Sequence, residues 1–323
     1  MDNIQNAALK VDLDLIKKYG TPGPRYTSYP TAPQFHTAFR PVDFQNALKR
    51  NIDTDRPLSL YFHIPFCAKL CYFCGCTMLA THNQERMREY VDYLIREIAL
   101  LAGATGGRPV KQIHWGGGTP TYLPPDEILR LAEATNRHYN IARDAEVSVE
   151  IDPREATKAH FQALKDGGFN RISMGVQDFY EPTQKAINRI QPEKMTRGLV
   201  DLARSMAFES VNLDLVYGLP FQTRTSFSKT LEKLIDIHPD RIALFNYAHV
   251  PWMKKHQKLI KEETLPTADE RLSILKLAIE RLTCAGYIFI GMDHFALPDD
   301  SLVKAMQSKT LYRNFQGYST HAS

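Results

Sequence analysis

Two kinds of hydrophobic pattern alternate along the chain from residue 58 onward. Short apolar runs of six or seven residues have the length of buried strands, and each is followed by a longer segment with apolar residues at helical spacing. The first such segment carries Met87, Val91, Leu94 and Ile98. The pattern predicts strands over 58–64, 110–115, 146–151, 171–176, 211–216 and 241–247, and helices over 84–101, 126–139, 158–165, 193–206, 226–237 and 268–284.

Six strand-then-helix units in succession predict an α/β fold with a parallel sheet and right-handed crossovers. Eight units close a complete barrel, so six predict a partial (β/α)6 barrel, which we place over 58–298 with a further short strand over 287–290. Residues 1–57 show no sustained period through Pro41 and predict an extended N-terminal arm; a solvated leader without a role is the alternative.

Polar residues recur where the predicted strands end. In parallel α/β folds, ligands bind at the carboxyl ends of the strands, so these residues predict one binding mouth. After the cysteine-rich loop that follows the first strand, they are Gly116 to Pro120, Glu150 and Asp152, Gln177 and Asp178, Asp214, and Tyr247 to His249.

The strongest chemical signal is a group of four cysteines within ten residues: Cys67, Cys71, Cys74 and Cys76. No second knuckle of Cys or His follows, and Cys284 is alone, which disfavours a structural zinc site. The C-x3-C-x2-C spacing puts three thiolates on one loop, enough for three irons of a [4Fe-4S] cluster with the fourth iron open. A zinc knuckle and a surface disulfide remain the alternatives.

The bulk properties are those of an ordinary globular protein, with 43% hydrophobic and 24% charged residues. A formal charge of +4 is too small to indicate nucleic acid or a membrane surface. Residues 1–19 have no continuous apolar run, so we expect no signal peptide, and no apolar stretch is long enough to span a bilayer. Clustered free thiols then fit a reducing cytoplasm.

The motif and its surroundings resemble the oxygen-independent coproporphyrinogen III oxidase family of the radical S-adenosylmethionine (SAM) superfamily. The resemblance rests on Tyr61 to Phe66 before the cysteines, on Cys76, and on Gly23 to Ala32 upstream. It covers residue 20 to the end and implies a three-quarter barrel with a [4Fe-4S] cluster on Cys67, Cys71 and Cys74. It also implies that 299–323 are the truncated start of a C-terminal region that continues in family members.

The same resemblance implies two SAM molecules. The first would lie on the open iron and contact Tyr61, Gly117 and Glu150; a salt bridge of Glu150 to Arg171 or Arg154 is the alternative. The second would contact Phe73, Gly118, Thr119, Gln177, Arg189, Asp214 and Ala248, for which the alternative is polar residues that merely line a barrel. Gly117 and Gly118 would let backbone groups approach a ligand closely, although a tight turn would also require glycine.

Cys76 and His63 are the candidate catalytic residues. Cys76 is too close to Cys74 to add a fourth ligand easily, so we expect it to serve substrate or proton chemistry. His63 and Tyr61 are two residues apart on a strand and share a face. Arg25 and Arg189 are candidates to bind substrate carboxylates.

The activity implied by the resemblance is an oxidoreductase of haem (porphyrin) biosynthesis. Reductive cleavage of SAM would give a 5′-deoxyadenosyl radical that takes a hydrogen atom from a propionate of coproporphyrinogen III. Two such rounds, each releasing CO2, give protoporphyrinogen IX. The expected partners are a reductant such as flavodoxin or ferredoxin and an unidentified electron acceptor, with no nucleic acid and no membrane; we expect a monomer. The alternatives are an inactive or haem- or cluster-binding relative without turnover, and a lid supplied by another polypeptide.

Overall fold

The computed structural model describes residues 11–19, 34–50, 56–314 and 317–321. The strands are β1 (Leu58–Ile64), β2 (Phe66–Cys67), β3 (Leu79–Ala80), β4 (Pro109–Gly117), β5 (Asn140–Ile151), β6 (Arg171–Gln177), β7 (Ser210–Tyr217), β8 (Arg241–Asn246), β9 (Ile288–Gly291), β10 (His294–Ala296), β11 (Tyr312–Asn314) and β12 (Gly317–Ser319). The α-helices are α1 (Leu13–Tyr19), α2 (Pro41–Arg50), α3 (Gln84–Ala102), α4 (Pro125–His138), α5 (Lys158–Asp166), α6 (Glu181–Ala186), α7 (Glu193–Ser205), α8 (Arg224–Ile237), α9 (Ala268–Cys284) and α10 (Ser301–Gln307).

The main sheet confirms the predicted succession of parallel strands. Its order is β1-β4-β5-β6-β7-β8-β10-β9, and the six strands from β1 to β8 pair in parallel. The predicted strand over 287–290 is present as β9. It forms an antiparallel hairpin with β10, which in turn pairs antiparallel with β8.

The sheet curls as a partial barrel. Its strands β4 and β10 are five strand spacings apart in the sheet, or roughly 24 Å if the sheet were flat. The short β11–β12 hairpin nevertheless contacts both of them. Asn314 donates a hydrogen bond to Gln112 on β4 (2.9 Å), while the Tyr318 ring packs edge-on against His294 on β10 at a centroid distance of 5.5 Å.

Side-chain alternation along the strands separates a core from a cavity. On β5, Val147, Val149 and Ile151 are buried within the main apolar cluster, which also holds residues of the surrounding helices. The intervening Ser148 and Glu150 line the cavity instead. The outward face of the sheet therefore stabilises the fold, and the inward face is free to carry polar chemistry.

The N-terminal segment differs from the prediction of an extended arm, because two parts of it are helical. The helix α2 begins at Pro41, where a missing N–H costs nothing, and Asp43 accepts a hydrogen bond from the Arg40 amide. Val11, just before α1, packs against the main core. The family string from Gly23 to Ala32, and Arg25 with it, lies outside the described residues.

Among the described residues, no helix has both the length and the apolar character needed to cross a bilayer.

Candidate active site

The thiol loop, residues 67–76, leaves the barrel mouth directly after β1. Pairing of β2 with β3 holds its start, and a hydrogen bond from the Cys74 amide to the Cys71 carbonyl (3.2 Å) forms a turn within it. Cys71 is buried, whereas Cys76 is exposed. The loop brings the predicted ligands Cys67, Cys71 and Cys74 to the wall of one cavity of about 580 Å³.

Two arginines hold the Cys71 thiol. The Nη2 atom of Arg154 lies 3.3 Å from Cys71 Sγ, and Nη1 of Arg189 lies 3.7 Å from it. Both guanidinium groups also bind the Asp152 carboxylate, at 2.6 and 2.8 Å. Although burial raises the pKa of Asp152, the charges of Arg189 and Arg154 lower it to about 2. The two guanidinium groups and the Asp152 carboxylate thus fix the position of the Cys71 sulfur at the cavity wall.

The other two ligand candidates differ in their environments. Burial raises the pKa of the Cys67 thiol to about 11, and Thr119 Oγ1 lies 3.4 Å from its sulfur. A hydrogen bond with Cys76 lowers the pKa of Cys74 to about 6. Binding of iron would displace the proton of Cys67, since metals bind the thiolate form. In the described part of the chain, no three His, Cys, Asp or Glu side chains are gathered closely enough for one metal ion.

The glycine run at the end of β4 packs against the chain that enters the thiol loop. The Gly118 amide donates to the Ile64 carbonyl and the Thr119 amide to the Phe66 carbonyl, both at 2.8 Å. A Cβ on Gly118 would lie 2.7 Å from the Pro65 carbonyl group. Gly117 adopts a φ of +115°, which side chains rarely permit. The run is therefore glycine both for its turn and for this close approach.

Glu150 forms no salt bridge to Arg171 or Arg154, the alternative considered above, because Arg171 pairs with Glu146 and Arg154 with Asp152. Instead, Glu150 accepts a hydrogen bond from the Gly117 amide (3.2 Å), and His114 Nε2 lies 3.3 Å from its other oxygen. The side chain of Glu150 is 43% exposed. Its carboxylate is thus held in place but open to the cavity.

His114 contacts Ser148 through one ring nitrogen and Glu150 through the other. Ser148 Oγ donates to the Ile113 carbonyl (3.2 Å), which can only accept, so Ser148 must accept from His114 Nδ1 at 2.7 Å. Through these two contacts, His114 links the side chains of Ser148 and Glu150. Local spacing on β4 gave no reason to single out His114.

Tyr61 and His63 share a strand face, as predicted. The Tyr61 hydroxyl donates to His63 Nδ1 (3.1 Å), because His63 Nε2 donates to the Thr77 carbonyl (2.8 Å). Tyr61 also stacks on His114, with centroids 6.0 Å apart and planes 15° apart. Burial, and then the charge of Glu150, raises the pKa of Tyr61 to about 12.

Asp214 and Arg189 line the same cavity. Asp214 accepts from Asn212 Nδ2 (2.6 Å) and Ser173 Oγ (3.2 Å), and burial followed by the charge of Glu150 raises its pKa to about 7. Arg189 donates to Asp152 and to the Gly175 carbonyl (2.7 Å), so its terminal nitrogens are engaged within the protein. In this arrangement, the guanidinium group of Arg189 does not present two free N–H groups to the carboxylate of a ligand.

The remaining predicted residues complete the cavity wall. Gln177 adopts a φ of +70° at the end of β6, an uncommon conformation for a residue with a side chain. Gln257 Nε2 donates to the carbonyls of Phe73 (3.1 Å) and Ala248 (3.3 Å) and so ties two loops together. The predicted site residues that line this cavity are Cys67, Cys71, Phe73, Cys74, Cys76, Gly117, Gly118, Thr119, Glu150, Gln177, Arg189, Asp214 and Ala248. Tyr61 and His63 adjoin it through His114.

Comparisons with known proteins agree with this geometry. The family model of the radical SAM superfamily matches residues 61–234. The oxygen-independent coproporphyrinogen III oxidase of Salmonella typhimurium is 50% identical over 309 residues, which is 96% of this chain and 67% of that protein. The enzyme of the same name from Pseudomonas aeruginosa is 46% identical over 97% of this chain and 69% of its own length.

A solved structure shows the same fold. Coproporphyrinogen III oxidase from Escherichia coli, described as a radical SAM enzyme, matches with a TM-score of 0.91 and 47% identity, over 98% of this chain and 70% of that one. This chain thus spans about two thirds of the length of these relatives. The match over nearly all of the chain, together with the thiol loop at the barrel mouth, establishes that it belongs to the oxygen-independent coproporphyrinogen III oxidase family of radical SAM proteins.

Proposed function

We propose that the chain carries out the radical SAM oxidative decarboxylation of coproporphyrinogen III to protoporphyrinogen IX in haem biosynthesis, in the cytoplasm. The observation that supports this most directly is the convergence of Cys67, Cys71 and Cys74 on the cavity that also exposes Glu150 and Asp214. Thiolates for a cluster and carboxylates for hydroxyl groups then share one space, as a reaction between cluster-bound SAM and a substrate requires.

The radical SAM family implies a [4Fe-4S] cluster and SAM. We assign the cluster to Cys67, Cys71 and Cys74. When bound, the cluster and SAM together supply a one-electron cleavage that produces a carbon radical able to abstract hydrogen. The chain's own part is to position the thiols, which Arg154 and Arg189 do for Cys71, and to fix the loop on the glycine run.

We assign the first SAM to Glu150, Gly117 and Tyr61. A carboxylate that keeps exposed oxygen atoms suits the two hydroxyls of a ribose, and His114 would hold it in that orientation. The His63 ring packs against Gly117, where a Cβ would stand 2.7 Å from it, so the glycine lets the chain approach closely there. Tyr61 supports the same region by stacking on His114.

A second SAM is part of the proposal. Asp214 would accept from its hydroxyls, and the wall that would surround it comprises Phe73, Gly118, Thr119, Gln177, Arg189 and Ala248. In support, these residues line the same continuous cavity as the first set. Arg189 would contact this second SAM through its carbon atoms and its buried Nε. That Nε atom has no hydrogen-bond partner in the described structure.

Substrate and redox partners complete the proposal. Cys76, exposed beside the cavity, and His63, hydrogen-bonded to Tyr61, are our candidates for proton and substrate chemistry. A reductant such as flavodoxin or ferredoxin would deliver electrons, and a separate acceptor would take the last one. We take residues 58–298 as the catalytic barrel, 1–57 as an arm and 299–323 as the start of a further region, in a monomer without nucleic acid or membrane.

The test is release of CO2 from coproporphyrinogen III labelled in its propionate carboxyls. The protein is purified without oxygen, reconstituted with iron and sulfide, and given SAM and dithionite. We expect two CO2 per substrate from the wild type, none from Cys71→Ser, and normal release from Cys284→Ser, which removes an exposed thiol elsewhere. Retention of iron without CO2 release would instead support the binding relative without turnover.

A further inference from the structure

Residues 250–261, here called the lysine loop, follow β8 and rest on the thiol loop. Lys254 Nζ donates to the Cys76 carbonyl (3.0 Å), and His256 Nε2 donates to the Cys74 carbonyl (2.7 Å). The strands β1 and β8, which precede the two loops, stand at opposite ends of the parallel part of the sheet. The lysine loop therefore bridges the barrel mouth and has a direct hydrogen-bonded connection to a residue that we assign as a cluster ligand.

The lysine loop concentrates the positive charge of the chain. It contains four lysines and no Asp or Glu, while the whole chain has a formal charge of +4. Outside this loop the chain is thus formally neutral. Lys255, Lys258 and Lys261 are exposed. Glu262 and Glu263 follow the loop, and Glu262 lies 3.4 Å from His249.

Large apolar side chains project to solvent between these lysines. Trp252 is 75% exposed, Met253 72% and Leu259 59%. None of the described residues of the lysine loop lines the cavity, so this surface is separate from the proposed SAM and substrate space. An exposed apolar centre with a basic rim is typical of a surface that binds a protein.

We propose that the lysine loop is the docking surface for an acidic one-electron carrier protein that reduces the cluster; this rests on the function proposed above. Opposite charges would speed encounter, and a small apolar contact suits a transient electron-transfer complex. The carrier loses one electron and the cluster on the thiol loop gains it. No covalent bond is made or broken. The hydrogen bond of His256 to the Cys74 carbonyl offers a short connection between the docked carrier and the cluster.

Binding is measured first, with purified flavodoxin as the acidic probe and the reconstituted protein as the partner. Lys255→Glu/Lys258→Glu should weaken binding at least tenfold at low ionic strength, and the difference should shrink as salt screens the charges. Lys158→Glu/Lys229→Glu changes exposed lysines on α5 and α8 by the same charge and should bind like the wild type. Trp252→Ala should weaken binding at every salt concentration.

Cleavage of SAM then separates this proposal from the function on which it rests. The lysine-loop double variant should lose most cleavage when flavodoxin is the electron source and keep wild-type cleavage with dithionite.

Equal binding by the double variant and the wild type, or equal weakening by the control, would overturn the docking surface. Weakened coproporphyrinogen III binding with intact flavodoxin binding would also overturn it, as the loop would then serve the substrate. If dithionite gives no cleavage in any protein, the function proposed above fails, while the binding assay still decides the docking surface.

Discussion

Single side chains set the charge balance inside the cavity. Asp214 has a raised pKa of about 7, and Tyr61 one of about 12. Each of these groups lies near the Glu150 carboxylate, whose charge raises the pKa of both Asp214 and Tyr61. The charge of Glu150 therefore favours the protonated forms of Asp214 and Tyr61.

His114→Phe should weaken SAM binding without unfolding the protein. The ring can still stack on Tyr61, but Glu150 loses the partner that orients it. A hydrogen bond to a charged group contributes about 1.5–3 kcal/mol, so the dissociation constant of SAM should rise roughly 10- to 150-fold. Equilibrium dialysis on the reconstituted protein measures it. His138→Phe, at an exposed helix end, is the control, and an unchanged constant in His114→Phe would show that Glu150 needs no such support.

Asp214→Asn should change the pH dependence of stability. Because the folded protein raises the pKa of Asp214 to about 7, it favours the protonated carboxyl, and that stabilisation is lost as the pH rises toward 7. The variant lacks this loss. Between pH 5.5 and pH 8, the wild type should therefore lose roughly 1–2 kcal/mol of unfolding free energy relative to the variant. Urea unfolding at both pH values tests this, and parallel pH profiles would contradict it.

At the scale of secondary-structure elements, the site depends on two backbone segments that pack unusually close to each other. The glycine run at the end of β4 lies against the residues that connect β1 to the thiol loop, with two amide hydrogen bonds of 2.8 Å. Any side chain at Gly118 would collide with backbone, which cannot rotate away as a side chain can. The position of the cluster ligands therefore depends on this contact between two loops.

Gly118→Ala should displace the thiol loop. Its Cβ would stand 2.7 Å from the Pro65 carbonyl, so the backbone must shift, at a cost of roughly 1–3 kcal/mol. We expect a lower iron content after reconstitution together with lower stability. Gly198→Ala in α7 has nothing within 4 Å of its new Cβ and should stabilise the helix by about 0.5–1 kcal/mol with full iron. Normal iron content in Gly118→Ala would mean that the thiol loop tolerates the shift.

The sequence predicted the regular elements better than the irregular ones. The strand predicted over 171–176 is Arg171–Gln177, but β5 begins six residues earlier than predicted, beside a register shift in its pairing with β4. The helix α6 has six residues and contains Pro182, too little for a helical period to show. The strand β10 has three residues, and its antiparallel pairing depends on a partner distant in the sequence.

The sequence predicted those site residues that belong to a recognisable motif or stand at the end of a strand. The cysteines, the glycine run and the strand-end carboxylates stand out by local spacing, and the structure places them together. The partners of these residues do not stand out. His114 reaches Glu150 across neighbouring strands, and Arg154 reaches Cys71 from 83 positions away. Such contacts follow from how the strands pair, which local patterns do not reveal.

For the whole molecule, a buried ionic cluster ties the barrel together below the cavity mouth. Glu146 on β5 lies 2.9 Å from Arg171 on β6 and 3.5 Å from Arg241 on β8, and Arg241 also pairs with Asp300 at the start of α10. All of these side chains are at most 15% exposed. The cluster links three strands to a helix beyond the predicted barrel boundary.

Glu146→Gln should destabilise the fold strongly. It leaves two buried arginines with a single carboxylate, and loss of one partner of a buried ion pair costs about 3–5 kcal/mol. Urea unfolding of the apoprotein measures the change. Glu181→Gln breaks an exposed pair with Lys185 and should cost less than about 1 kcal/mol. Similar effects of the two substitutions would show that the ionic cluster contributes little to stability.

The central claim is that Cys67, Cys71 and Cys74 hold a [4Fe-4S] cluster whose fourth iron is open to SAM. The most direct measurement is the electron paramagnetic resonance spectrum of the reconstituted, dithionite-reduced protein with and without SAM. We predict the signal of a reduced [4Fe-4S] cluster that changes when SAM is added, that is absent in Cys71→Ser and that persists in Cys284→Ser. A signal that SAM does not alter, or one that survives in Cys71→Ser, would contradict the assignment.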